Sequence, residues 1–291
     1  MTLPTIDKAA ARRAFGRAAP RYDGAAVLQR EIADRMLERL DYIRLEPRLV
    51  LDLGAGTGYA IDGLQRRFRG ARVLALDFAE GMLHQARRRG SWRRRPECLC
   101  ADAEHLPLAD GTVDLIFSNA TFQWCNDLAR TFAECARVLR PGGLLLFSTF
   151  GPDTLKELRA AWSTVDGHPH VSGFIDMHDI GDTLLRARLA DPVMDVERLT
   201  LTYERVADLM RDLKQLGASN AANARPRGLT GRRRLAAVEA AYEAQRAAGR
   251  LPATYEVVYG LGWAPLQRPV ADGVAVPLSA IGRRLGGGGG R

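Results

Sequence analysis

The 291-residue sequence has no run of about 18 apolar residues, the length a helix needs to cross a bilayer, so no membrane span is predicted. Met1 to Ala11 also lacks the apolar stretch of a secretory signal, and the cytoplasm is the expected location. Cysteine is scarce. The four present, Cys98, Cys100, Cys125 and Cys135, form no paired clusters with metal-ligand spacing, so no metal centre is predicted and the thiols read as buried and reduced. There is no internal repeat, which excludes a repeat architecture. Lysine is nearly missing: arginine supplies most of the 42 basic residues set against 34 acidic ones, for a formal charge of +8. That balance suits nucleic acid, an anionic membrane or an acidic protein alike. An arginine-rich composition also follows from a GC-rich genome, so charge alone does not choose among them.

What is present is a globular composition, 46% apolar and 26% charged, in a chain long enough to bury a substantial core. Over residues 48–150 short apolar runs alternate with amphipathic ones, the pattern of βαβ units. Strands are predicted at 49–53, 71–77, 98–101, 113–118 and 144–149, with helices at 58–68, 79–89 and 128–139. The last of these should stop at Arg140-Pro141-Gly142-Gly143, because proline cannot continue a helix and glycine supplies a reversal. Helices near 7–18 and 24–40 precede this core. Behind it, helices are predicted at 153–165, 176–188, 206–216 and 231–248, and strands at 193–203 and 254–263. The two late strands read as antiparallel closing strands with the inserted helices forming a cap. The expectation is an α/β, Rossmann-like fold with a mostly parallel seven-stranded sheet. It would be one domain over residues 1–264: N-terminal helices 7–41, a core at about 45–150, and cap with closing strands at 151–264. A flexible glycine-rich tail would follow at 265–291.

Asp52-Leu53-Gly54-Ala55-Gly56-Thr57-Gly58 stands where the first strand gives way to the first helix, the place at which a doubly wound sheet binds its ligand. Glycine is required there because the backbone turns tightly and a ligand approaches closer than a side chain permits. Asp77 ends the second strand, where its carboxylate can accept both hydroxyls of a ribose. A dinucleotide fold needs a further glycine so that a pyrophosphate meets the helix N-terminus, and Tyr59 occupies that position. A nicotinamide cofactor is disfavoured accordingly.

The G-x-G-x-G turn with its preceding acidic strand end resembles the first motif of class I methyltransferases, which use S-adenosyl-L-methionine. The resemblance implies that Asp52, Gly54, Gly56 and Gly58 pack at the amino-acid end of the cofactor and that Asp77 binds its ribose. Phe78 and Met82 would be further cofactor contacts, Asp102 and Ala103 would flank the adenine, and Asn119 would lie near the methionine moiety. Tyr22 would either cover the methyl end as a lid or anchor the N-terminal helix. Arg140-Pro141-Gly142-Gly143 matches the turn these enzymes place before strand five.

The flanks are more specific. Phe15-Gly16-Arg17-Ala18-Ala19, Tyr22-Asp23 with Ala26, Gln29 and Arg30, Ser118-Asn119 with Gln123-Trp124, and Phe150 through Leu155 carry one resemblance. So do His168-Pro169-His170, Leu213-Lys214 with Leu216-Gly217-Ala218, and Gly249 through Tyr255. Together they resemble the malonyl-acyl-carrier-protein methyltransferases that open biotin synthesis, over nearly the whole chain from Ala14 to about Trp263. The implied reaction moves a methyl group from S-adenosyl-L-methionine to the free carboxylate of a malonyl thioester on acyl-carrier protein. A family of respiratory-complex assembly factors linked to arginine hydroxylation shares the glycine turn, Ala253-Thr254-Tyr255 and Gly262-Trp263, and is one alternative; a methyltransferase acting on another small carboxylate is the other. Phe15 to Tyr22 and His168 to His170 favour the first family. Neither nucleic acid nor a membrane is an expected partner: the chain carries no added RNA-binding module, and Asn119 is followed by Ala120-Thr121-Phe122 rather than the Pro-Pro-aromatic run of amino-methylating enzymes.

A malonyl carboxylate is already ionised at neutral pH, so the chemistry requires no general base and no catalytic dyad is assigned. Alignment and exclusion of water remain for the protein to supply. Candidates for holding the carboxylate are Lys214, Arg211, His168 and His170 from the cap, with Gln123 and Trp124 bordering the mouth of the site. A solvated surface is the alternative role for Arg211 and Lys214, and an ordinary loop position for the histidines. Because the expected carrier protein is acidic, Arg232, Arg233 and Arg234 are the candidate docking surface.

Overall fold

The computed structural model of the protein describes residues 5–266 apart from 92, 219, 224–227 and 229. The tail expected at 265–291 lies, beyond its first two residues, outside the described residues. Strands β1 (Leu49–Leu53), β2 (Arg72–Asp77), β3 (Glu97–Cys100), β4 (Val113–Ser118), β5 (Leu139–Phe150), β6 (Ala190–Tyr203) and β7 (Leu251–Trp263) form one sheet in the order β3-β2-β1-β4-β5-β7-β6. Strands β1 to β5 pair in parallel, and β7 runs antiparallel to both of its neighbours. This corrects one expectation: of the two late strands only β7 is reversed, and β6 shares the direction of the core. The reason is that β5 reaches β6 by a crossover through α7 (Lys156–Ser163) and α8 (Met177–Arg186), which returns the chain to the same end of the sheet.

Helices α1 (Lys8–Ala18), α2 (Tyr22–Ala25) and α3 (Val27–Arg39) precede the sheet; α4 (Ile61–Arg67), α5 (Glu80–Ala86) and α6 (Leu128–Val138) lie between its strands. Local chemistry sets their limits. Asp7 caps α1 by accepting from the Ala10 amide at 2.9 Å, and Asp127 caps α6 by accepting from Arg130 at 2.9 Å. The helix expected at 24–40 is broken at Ala26, whose φ of −80° and ψ of 42° are not helical. Helix α4 starts at Ile61 rather than 58 because Gly58 belongs to the glycine turn, its amide donating to Ala55 at 2.8 Å. Strand β5 begins at Leu139, five residues earlier than expected: Leu139 pairs with Val113, the register then shifts, and Gly142 and Gly143 exchange backbone hydrogen bonds with Ala264.

Adjacent residues of the central strands feed opposite faces. Val50, Leu115, Leu144 and Leu146 join Ile32, Met36 and Leu64 in one core; Leu51, Ile116, Leu145 and Phe147 join Phe132 and Ile180 in the other. Such double burial explains why these strands read as continuous apolar runs. The reading of all four cysteines as buried is also corrected. Cys135 is buried, Cys98 and Cys125 are half-buried, and Cys100 is exposed because β3 is an edge strand with one side turned to solvent.

One topological fact positions everything functional. Tyr203 at the end of β6 pairs with Leu251 at the start of β7, so the intervening α9 (Val206–Gln215) and α10 (Arg232–Glu243) leave and return at the carboxyl end of the parallel strands. The cap stands over the end where such sheets bind ligands.

Candidate active site

At the carboxyl end of β1, Gly54, Gly56 and Gly58 take φ of 72°, 54° and 77°. The Gly54 and Ala55 amides both donate to Leu76 at 2.7 and 2.9 Å, fastening the turn to β2. A Cβ on Gly54 would lie 2.0 Å from the Thr121 hydroxyl, so only glycine fits. Beside Gly56, by contrast, the space is open, and both Gly54 and Gly56 line the cleft. Gly58 does not line it. A Cβ there would meet Ile61 and Ala86, so this glycine serves the close approach of α4 and α5.

Two buried carboxylates flank the turn. Asp77 accepts from the Gly56 amide at 2.9 Å and the Ala79 amide at 2.7 Å. Burial pushes its pKa up to about 6, against the pull of those amides and that of Phe78. Asp52 is pushed up to about 7, by burial first and then by the charge of Asp77, and its Oδ2 is buried with no partner. An ammonium group at that oxygen would satisfy it. An unpartnered buried acid, open space at Gly56 and a turn closed to side chains at Gly54 together fit the amino-acid end of S-adenosyl-L-methionine.

The rest of the cleft comes from other strand ends and from the N-terminal helices. Tyr22, Phe78, Met82, Asp102, Ala103 and Asn119 all line it with Asp77, so the expected cofactor residues converge, with Asp52 just beyond in the adjoining recess and Gly58 behind the turn. Tyr22 is half-buried, and desolvation with the nearby Asp77 and Asp23 raises its phenol. Asp102 is clasped by Lys8 through both oxygens at 2.6 and 2.8 Å, and Lys8 also reaches Glu104 at 2.8 Å. Partial burial raises Asp102, but Lys8 and the Glu104 amide outweigh it and hold the carboxyl below the usual range. Asn119 donates to the Gln29 backbone carbonyl at 2.8 Å and accepts from the Ser148 hydroxyl at 2.8 Å, tying the end of β4 to α3.

The N-terminal segment roofs the cleft beside Asp102. Phe15 on α1 packs edge-on against Trp124 at 4.9 Å and also meets Phe78. Ahead of α1, the Ile6 amide donates to Asn126 at 2.7 Å on the core side. On the cap side the Asp7 amide donates to Ala221 at 2.8 Å, and the Asn223 amide donates to Thr5 at 2.9 Å.

A second cavity of about 340 Å³ lies under the cap. Gln123, Trp124, His170 and Lys214 line it, among apolar walls from Phe150, Leu158, Trp162, Phe174 and Met210. His170 stacks on Trp162 at 3.6 Å and bonds Asp166 at 2.8 Å, and Arg234 approaches Asp166 at 3.8 Å. His168 and Arg211 do not line this cavity. His168 is exposed, and Arg211 pairs with Asp208 at 2.7 Å on the outer face of α9. Arg232, Arg233 and Arg234 form the exposed first turn of α10. Lys8, Gln29 and Thr121 were not singled out as site residues by the sequence. Their only signals were Gln29's place among the family-like positions and a lone lysine in a chain nearly devoid of it. Among the described residues no cluster of His, Cys, Asp or Glu is arranged to hold a metal ion, and no helix is long and apolar enough to cross a membrane.

Known proteins share this architecture. A methyltransferase-domain family model matches residues 51–147, which run from β1 into β5. The YcgJ protein of Bacillus subtilis superposes with a TM-score of 0.59 at 15% identity, covering 81% of this chain and 98% of its own. A Thermotoga maritima SAM-dependent methyltransferase superposes with a TM-score of 0.52 at 17% identity, covering 87% and 99%. Sheet order and glycine-turn cleft together define a class I, S-adenosyl-L-methionine-dependent methyltransferase. The malonyl-[acyl-carrier protein] O-methyltransferase of Halorhodospira halophila is 54% identical over 261 residues, 89% of this chain and 88% of its own. That of Methylovorus sp. is 54% identical over 277 residues, 93% and 94% of the two chains. Malonyl-[acyl-carrier protein] O-methyltransferase 1 of Coxiella burnetii is 47% identical over 284 residues, 96% and 97% of the two. The chain belongs to the malonyl-[acyl-carrier protein] O-methyltransferase family.

Proposed function

We propose that the protein methylates the free carboxylate of a malonyl thioester carried by an acyl-carrier protein, giving the methyl ester that starts biotin synthesis. The observation that carries this reading is the junction of two cavities. Gln29, Gln123, Trp124, Phe150, Leu216 and Ala218 line both the cofactor cleft and the cavity under the cap, so a donor in one faces an acceptor in the other. Bound S-adenosyl-L-methionine supplies an electrophilic methyl group on a sulfonium. The chain's own residues do the rest. Asp52 would meet the ammonium, Asp77 the ribose and Asp102 the adenine, while Gly54 and Gly56 would let the cofactor lie against the backbone. Phe15, Tyr22 and Trp124 exclude water, which strengthens the nucleophile because a hydrated carboxylate attacks poorly. Lys214 draws an anion into an otherwise apolar cavity where His170 is a further polar group, and no base is needed because the carboxylate is already ionised.

Residues up to 264 act as one methyltransferase unit, and the cytoplasm is where its two substrates would meet. Arg232, Arg233 and Arg234 suit an acidic carrier protein arriving over the cap. The test is mass spectrometry after mixing the protein with S-adenosyl-L-methionine and malonyl-carrier protein under anaerobic conditions. Addition of one esterase-labile methyl group, with S-adenosylhomocysteine accumulating alongside, is expected. Strict dependence on oxygen or iron would sink this reading in favour of a hydroxylase.

A further inference from the structure

The side chains that line both cavities carry no formal charge. Of the four residues expected to hold the substrate, Lys214 and His170 line only the cap cavity, away from the cofactor turn, and Arg211 and His168 line neither cavity. A carboxylate that is to be methylated must reach the junction itself, and the amide groups there are those of two glutamines. Gln123 is already committed: its Nε2 donates to the Ala120 carbonyl at 2.6 Å and its Oε1 accepts from Thr149 at 3.1 Å. Gln29 is not. Its Oε1 is buried without a partner, and its side-chain amide makes no hydrogen bond among the described residues. Its backbone is nevertheless fixed, because Asn119 holds the Gln29 carbonyl at 2.8 Å.

Leaving the buried amide oxygen of Gln29 unpaired is costly, and the cost is recovered if the amide turns so that its NH₂ takes that place and donates to an acceptor bound at the junction. Resting on the proposed methylation of a malonyl thioester, we propose that Gln29 is the residue that holds the substrate carboxylate at the methyl donor. The terminal torsion of a glutamine is broad and two-fold, so the amide can turn its NH₂ toward an incoming anion. One N–H then holds one carboxylate oxygen and leaves the other to attack. A neutral donor orients the nucleophile without neutralising it, whereas a close ion pair with a lysine or arginine would draw off the charge that must move to carbon. The division of labour is spatial. Lys214 attracts the anion from the cavity, and Gln29 aligns it at the junction.

The experiment compares wild type with Gln29→Met, which keeps length and volume but removes both amide functions, and Gln29→Glu, which places a like charge at the junction. Three readouts are taken: turnover of malonyl thioester, affinity of the S-adenosylhomocysteine complex for malonyl and acetyl thioesters, and affinity for S-adenosylhomocysteine itself. In Gln29→Met, kcat/KM should fall at least tenfold, and the preference for malonyl over acetyl thioester in binding should shrink by a similar factor. Gln29→Glu should lose more of both, with cofactor affinity within about threefold of wild type in each. A Gln29→Met protein with wild-type kcat/KM and wild-type malonyl preference overturns the inference while leaving the methyltransferase reading intact. A loss confined to cofactor affinity overturns it as well. No turnover of malonyl thioester by the wild-type protein overturns both. If Gln29→Met does not fold, the same criteria apply to Gln29→Glu.

Discussion

The two halves of the site are built differently. Under the cofactor cleft, function is written in the backbone: positive-φ glycines, amides aimed at Leu76 and Asp77, and two acids buried at 2% and 6% exposure. Under the cap it is written in side chains that project from helices and a loop into an apolar cavity, with ion pairs such as Arg211 to Asp208 on the outer surface. Backbone devices tolerate few residue types and force a fixed spacing. Helix surfaces tolerate many, and almost any polar residue on them has an innocent role in solvent. The cofactor half is therefore rigid in sequence and the substrate half permissive.

The sharpest break of that contrast is Gly54→Val. Its Cβ would collide with Thr121, and φ of 72° is strained for any branched residue. The expected cost is about 2–4 kcal/mol of stability, with cofactor binding lost, read by thermal melting with and without S-adenosylhomocysteine. Unchanged melting and affinity would show that the turn is not the fixed element. Asp77→Ala should weaken cofactor binding by roughly 1.5–3 kcal/mol in a folded protein, measured by calorimetry. Lys214→Ala makes the complementary change across the junction: cofactor affinity held, and kcat/KM for malonyl thioester down about tenfold, or ~1.4 kcal/mol. Equal loss of both quantities in Lys214→Ala would erase the division into halves.

Acidity sharpens it further. Burial pushes Asp52 and Asp77 up to about 7 and about 6 in the fold, against an ordinary carboxyl value of 3.8, so between those values the free folded protein holds more protons than the unfolded chain. Stability of the free protein should therefore fall as pH rises from about 4 to about 7, by up to ~1.4 kcal/mol per pH unit for each proton, and level off above. A cationic cofactor favours the ionised acids, so affinity should rise with pH through the same window, with proton uptake by the buffer. Calorimetry in two buffers of different ionisation enthalpy detects it, and Asp52→Asn should flatten it. The smallest effects belong to the surface. Alanine at Arg232, Arg233 and Arg234 should slow association with carrier protein in a salt-sensitive way and spare a small coenzyme A thioester. Arg211→Ala should change stability by less than about 0.5 kcal/mol.

The contrast also explains what could be read in advance. The glycine turn and Asp77 were legible because apolar runs mark the strands they end, whereas Asp102 and Asn119 were picked out by the family resemblance; the structure brings all of them to one cleft at the sheet's carboxyl edge. The sense of β6 was not: an apolar strand pattern carries no direction, and only the crossover through α7 and α8 fixes it. His168 and His170 are two residues apart, yet one is exposed and the other stacks on Trp162, a difference set by the path of a loop that no periodicity encodes. Gln29 escaped for a related reason. Its significance lies in lacking a partner, and an absence of contacts is visible only once the contacts are drawn.

The segment ahead of α1 carries a consequence for how the molecule assembles. It bonds to Asn126 and to Asn223 across sequence separations of 120 and 218 residues, while the strands beneath it pair with near neighbours in the chain. Closing such long loops carries a large entropy cost that is recovered only when both ends have a surface to meet, so these contacts form late. On a ribosome, this segment emerges ahead of the cap and must wait for the cap to be synthesised before it can settle. The nucleotide-fold core can be complete well before then, and the last structural event is the closing of the roof over Asp102. Competence to retain the cofactor thus arrives with the end of folding.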